Sequence, residues 1–129
     1  MGSGIDAAKQ VSSNILMFGI FPMFVQPTLD YIKSLPASSP MPVFISANDT
    51  KLIQWRYSNL ADQARAMTVK QGVTFLPVFE FFCPSGKCRI WVGNRPGDPL
   101  FVDQQHLTNK GMDEYGSFLK NLEPVRSLL

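Results

Sequence analysis

Two apolar runs, one from Asn14 to Phe21 and one from Val73 to Phe79, bracket the clearest helical pattern of the chain. A strand that is covered on both faces reads as an unbroken apolar run rather than as an alternation. Between the runs, Ile53, Tyr57, Leu60, Ala61, Ala64 and Met67 recur at spacings of three and four, one face of a helix. Asn48 or Asp49 can cap that helix, and Gly72 is placed to end it in a left-handed conformation. Strand, helix, strand in this order predicts a right-handed crossover in a parallel α/β sheet.

The rest of the chain is cut into short pieces. Pro22 stops the first run, Pro27 to Leu35 holds one or two helical turns, and Pro36-Ala37-Ser38-Ser39-Pro40 is a surface connection. Met41 to Ser46 can form a short strand, held to an edge or an extended loop by Pro40 and Pro42. From Cys83 to Val102 the pattern is turns and short extended segments, with Arg89–Val92 and Pro99–Val102 flanking Gly93-Asn94-Arg95-Pro96-Gly97-Asp98. A last helix is expected from about Asn109 to Leu122, burying Met112, Tyr115, Phe118, Leu119 and Leu122, with Glu123-Pro124 ending it. Ile5 to Ser12 resembles the tail of a helix.

One domain, or a large piece of one, is what 129 residues allow, and 45% hydrophobic content suffices for a core. The net charge of +2, without a Lys/Arg cluster, argues against a nucleic-acid partner. Ile15 to Val25 is too short for a membrane span and is interrupted by Gly19 and Pro22. That stretch also lacks the basic leader and small-residue cleavage site of a signal peptide. The sequence therefore reads as soluble, with any targeting or membrane segment outside it.

Cys83-Pro84-Ser85-Gly86-Lys87-Cys88 suits a small loop closed by a disulfide, with two free thiols as the alternative. A metal site would need further Cys or His ligands, and a redox pair would normally stand closer together at a helix start. A disulfide would imply an oxidising compartment.

The chemistry-bearing stretch is Asp103-Gln104-Gln105-His106-Leu107-Thr108, which contains the single histidine. An imidazole acting as a base needs an acceptor on its other nitrogen, to fix the tautomer and stabilise the imidazolium. A carboxylate three residues earlier, on a turn leading into a helix, can reach it. Thr108 is a good N-cap, and Asn109-Lys110-Gly111-Met112 opens the last helix. In a parallel α/β sheet this turn lies at the carboxyl ends of the strands, where ligands bind. His106 as the base and Asp103 as its orienting acid is the functional reading; an exposed or capping histidine beside a turn aspartate is the plain one.

The Asp103-Gln104-Gln105-His106-Leu107-Thr108-Asn109-Lys110-Gly111 stretch resembles the C-terminal catalytic block of the SGNH (GDSL-type) hydrolase superfamily. The Cys83–Cys88 loop, the hairpin-like stretch after it and Leu100-Phe101-Val102-Asp103 are similar to SGNH domains fused to membrane acyltransferases that O-acetylate cell-envelope sugars. The resemblance implies an α/β fold, part of a flavodoxin-like three-layer sandwich with a short parallel sheet, corresponding to the C-terminal half of an SGNH domain. Residues 14–124 would be that region, with 1–13 a helix remnant or start and 125–129 a tail.

The resemblance also implies acyl transfer to, or hydrolysis at, saccharide hydroxyls through a serine acyl-enzyme. Asp103 matches the triad acid and His106 the triad base. No cofactor and no metal are implied, and the partners would be a saccharide acceptor, an acyl donor and a membrane acyltransferase domain. Location would be extracytoplasmic, on the periplasmic side of the inner membrane. The departure is equally informative: the chain contains no Gly-Asp-Ser and no Gly-x-Asn, which carry the nucleophile and part of the oxyanion hole in that family. Ser3, between Gly2 and Gly4, has no strand before it and is not adopted as nucleophile. The expectation is a chain inactive alone, with hydrophobic strand edges left unpaired. A non-catalytic α/β interaction module that keeps the Asp-x-x-His turn is the alternative, and a thioredoxin-like redox module a more distant one.

Four other features have plain readings beside functional ones. Trp55 is either partly packed or a partner surface, and Phe79-Glu80-Phe81-Phe82 either sheet-edge packing or an acyl pocket. Gly19 permits a tight turn, and the Arg95–Asp98 loop is a solvated turn or a sugar contact.

Overall fold

The computed structural model describes residues 2–10 and 15–128, and the backbone alone for residues 2, 3 and 55–58. Asn14 and the side chains of Ser3, Trp55 and Tyr57, which the sequence singled out, lie outside that description. The elements run α1 (Gly2–Lys9), β1 (Leu16–Phe18), α2 (Thr28–Ser34), β2 (Phe44–Ser46), α3 (Trp55–Lys70) and β3 (Thr74–Leu76). Then follow α4 (Phe79–Phe82), β4 (Lys87–Arg89), α5 (Asn109–Lys120) and α6 (Glu123–Arg126).

The two apolar runs do pair in parallel: Leu16 faces Thr74, Met17 faces Phe75 and Phe18 faces Leu76. A parallel pair needs a long crossover, and α3 lies within it. β2 and β4 make a separate antiparallel pair, with Ile45 opposite Cys88. The first run is not covered on both faces, however. Phe18 is 56% exposed and Phe21 36%, and β1 has a strand neighbour on one side only among the described residues.

Gly19 serves close approach rather than a tight turn. Its N–H donates to the Leu76 carbonyl at 2.9 Å, continuing the β1–β3 ladder. A Cβ there would stand 2.7 Å from the Phe75 ring and 3.3 Å from the Val78 nitrogen, so a side chain would have to displace that ring.

α3 begins at Trp55, later than Asn48 or Asp49 suggested. The Asp49 carboxylate accepts the Lys51 N–H at 3.0 Å, and its carbonyl accepts Leu52 and Ile53 N–H groups. Asp49 thus builds its own turn, and Ile53 bridges to Phe24 before the helix starts. The far end follows expectation. Gly72 has φ +71°, its N–H reaches the Val69 carbonyl, and Val73 N–H reaches that of Thr68, a Schellman stop. The buried stripe runs through Ala61, Ala64 and Thr68, while Leu60 and Met67 are exposed, so the stripe is rotated from the expected one. The Thr68 hydroxyl is satisfied within the stripe by donating to the Ala64 carbonyl at 2.7 Å.

Phe79-Glu80-Phe81-Phe82 is a helical turn, not sheet edge. The turn brings both rings against Tyr115, Phe81 at 5.1 Å and Phe82 at 5.2 Å; Phe81 also stacks on Phe118 at 4.4 Å, and fully buried Phe82 also meets Phe101. Cys83 and Cys88 are bonded and both buried, closing the loop over Ser85 and Gly86, which take positive φ values. The free-thiol alternative falls away, and with it an accessible redox pair.

One buried charge had no signal in the sequence. Arg89, 5% exposed, pairs with Glu114, donates through Nε to Asn94 Oδ1 at 2.7 Å and lies 4.6 Å over the Phe81 ring. Glu114 also faces the Gly93 N–H at 3.3 Å, so the pair ties α5 to the turn after β4. Three partners around one guanidinium are what make its burial tolerable.

Candidate active site

The segment 99–108 folds back on itself as a tight hairpin. Phe101 bridges Leu107, Val102 N–H donates to the His106 carbonyl at 2.8 Å, and Thr108 N–H donates to the Leu100 carbonyl at 2.8 Å. The tip is anchored from outside, where Phe24 N–H reaches the Gln104 carbonyl at 2.9 Å. Thr108 caps α5 as expected: its hydroxyl oxygen accepts the Gly111 N–H at 3.0 Å and donates to the Pro99 carbonyl at 2.7 Å. Backbone bonds on both arms therefore fix the turn that carries Asp103 and His106.

Those two side chains meet. Asp103 Oδ2 lies 2.8 Å from His106 Nδ1, and Oδ1 accepts the N–H groups of Gln105 at 2.9 Å and His106 at 2.7 Å. The Gln105 and His106 backbone bonds, then the imidazole bond, hold the Asp103 carboxyl down at about 2. An ionised acceptor on Nδ1 keeps the neutral ring's proton there, leaving Nε2 with its lone pair free. Among the described residues Asp103 is the ring's one hydrogen-bond partner, and the His106 side chain is 69% exposed.

A cleft of about 420 Å³ opens beside the ring, lined by Phe21, Gln105, His106, Leu107 and Met112. Phe21 enters from the chain just beyond the carboxyl end of β1, the side of a parallel sheet where ligands collect. Met112 was expected in the core; it is 58% exposed and stands over the cleft from the first turn of α5. The sequence did not mark Phe21, Gln105, Leu107 or Met112 as site residues. Their nearness to the Asp-x-x-His turn was a usable signal only for the last three.

Behind the cleft, Tyr115 packs its ring against Phe21 at 6.0 Å and donates its hydroxyl to the Pro77 carbonyl at 3.1 Å. Burial, with Glu80 nearby, pushes its phenol up to about 12, so it serves as a packed hydrogen-bond donor and not as an acid near neutrality. The Arg95–Asp98 loop is exposed, with Asp98 paired to Lys110 at 3.0 Å in solvent. Among the described residues no group of three or more His, Cys, Asp or Glu is placed to hold a metal ion.

The family model for the SGNH domain (fused to AT3 domains) matches residues 5–121. The chain belongs to that family. This SGNH chain is also similar in fold to the periplasmic domain of a lipopolysaccharide acetyltransferase from Salmonella ser. Paratyphi A. The likeness has a TM-score of 0.66 at 23% identity, and spans 91% of this chain but 45% of that one. None of the curated proteins matches the chain. The mixed α/β architecture with a short parallel sheet is thus that of an SGNH-type domain. No helix among the described residues is long and apolar enough to cross a membrane.

Proposed function

We propose that this chain supplies the acid–base half of an SGNH acyl-transfer site, with His106 as general base and Asp103 as the group that orients and stabilises it. The single supporting observation is the 2.8 Å contact between Asp103 Oδ2 and His106 Nδ1 at the rim of a cleft. Nε2 of His106 takes the proton of a serine hydroxyl as that oxygen attacks an acyl carbonyl, then returns it to the departing oxygen. The acyl-enzyme is resolved when a second hydroxyl, activated by the same nitrogen, attacks it; a sugar hydroxyl gives transfer and water gives hydrolysis. The nucleophile comes from outside this sequence, which has no Gly-Asp-Ser.

Cell-envelope saccharides as acceptors, an extracytoplasmic location and a membrane acyltransferase domain as partner belong to the same reading. The family's fusion to AT3 domains, the periplasmic origin of the structural neighbour and the buried disulfide support them. A second reading, a non-catalytic interaction module, is favoured by the missing serine and Gly-x-Asn blocks. The coding sequence upstream separates the two: hydrophobic spans and then a Gly-Asp-Ser block support the enzyme.

A triad stripped of a member retains at most about 10³–10⁴-fold acceleration over water, and that remnant depends on an intact oxyanion hole. Nitrophenyl acetate should therefore be turned over by this chain no faster than by free imidazole at the same concentration. A serine labelled by a fluorophosphonate in wild type but not in His106→Ala would mean that a nucleophile resides in this sequence, and would overturn the division of the site proposed here.

A further inference from the structure

Gly111 lies where α5 presses most closely on the hairpin. A Cβ at this position would stand 2.5 Å from the Leu100 carbonyl oxygen, 3.2 Å from Thr108 Oγ1 and 3.3 Å from the Leu100 carbonyl carbon. The nearest of these is backbone, which cannot swing aside as a side-chain tip can. The same carbonyl accepts the Thr108 N–H at 2.8 Å, and Thr108 Oγ1 in turn accepts the Gly111 N–H at 3.0 Å. Leu100, Thr108 and Gly111 thus form one closed contact. Two residues before Thr108, the His106 carbonyl accepts the Val102 N–H at 2.8 Å, so the ring-bearing residue rides on the same pair of arms.

We propose that Gly111, acting through the Thr108 cap, is a positioning residue that sets the His106 ring against Asp103. A methyl at residue 111 forces the first turn of α5 off Leu100; Thr108 moves with it, the arm that carries His106 shifts, and the ring loses its alignment on the carboxylate. Neither residue touches the cleft. The purpose of this device rests on the acyl-transfer reading, but its test needs no turnover, so the two can fail separately.

The single histidine makes the test clean, since only one pair of imidazole ¹⁵N resonances exists. In the neutral ring the wild-type chain should show the proton on Nδ1, with Asp103→Ala as the reference for the unguided ring. Gly111→Ala and Thr108→Val should move both nitrogen shifts at least half-way to that reference, while Thr108→Ser, which keeps the hydroxyl, stays at wild type. Ala64→Gly, in the buried stripe of α3, should lower the melting temperature without moving the ring signals. The proposal is overturned if Gly111→Ala leaves the ring nitrogens unchanged, if Ala64→Gly moves them as far, or if Thr108→Ser behaves like Thr108→Val. Should Gly111→Ala fail to fold, the Thr108→Val and Thr108→Ser pair decides by the same criterion.

Discussion

Oδ1 of Asp103 faces two backbone N–H groups of its own turn, which leaves Oδ2 free for Nδ1 of His106 at 2.8 Å. The carboxyl is held at about 2 against an ordinary 3.8, so its folded form is favoured when ionised. A depressed folded pKa gives stability that is present above the ordinary value and lost as pH falls through the lowered one. The melting-temperature difference between wild type and Asp103→Ala should begin to shrink as pH falls below about 5, lose most of its size between the ordinary and the lowered value, and vanish only below about pH 2.

Removal of one partner should expose what the Arg89–Glu114 pair does for α5. Glu114→Ala leaves a guanidinium that is 5% exposed without its carboxylate and should cost about 2–4 kcal/mol in urea unfolding. Arg89→Met in that background should recover part of the loss, because it removes the stranded charge. A double variant no more stable than Glu114→Ala would assign the loss to the Gly93 contact instead.

Reduction of Cys83–Cys88 should lower stability by roughly 2 kcal/mol, the entropic value of a short closed loop. Urea midpoints with and without a strong reductant measure it. A much larger drop would show that the buried sulfurs, packed against core side chains, also contribute through contacts.

Phe18, 56% exposed on β1, should drive self-association through the side of that strand that no described strand covers. Light scattering over a concentration series should show the mass of wild type rising and that of Phe18→Lys staying at the monomer value. The substitution should change the melting temperature little, since an exposed site typically stays within about 0.5 kcal/mol.

How much could be read without coordinates depended on whether a residue's partner was near in sequence. The β1–β3 pairing was legible because both strands are unbroken apolar runs on either side of a helix, and Gly72 because a helix stop is local. Asp103 and His106 were legible for the same reason, being joined by one turn. Asp49 misled because a good cap is also a good turn former, and its carboxylate chose Lys51. Phe79–Phe82 misled because aromatic residues favour strands, where neighbouring side chains point to opposite faces, while here Phe81 and Phe82 lie 4.9 Å apart and both pack on Tyr115 in a helical turn. Met112 and Met67 fell at helical spacing, but spacing marks a face and not what lies opposite it. Arg89 was invisible, because its carboxylate partner Glu114 lies on another element and meets it only in space.

The hairpin that carries the pair is held by the main-chain bonds of Phe24 to Gln104 and Val102 to His106, and by the Asp103 carboxylate on two N–H groups. None of those bonds involves the side chain of either glutamine at the tip. Gln105, which borders the cleft, can thus be rewritten, and the cleft's lining changed with it, while the Asp103–His106 pair stays put.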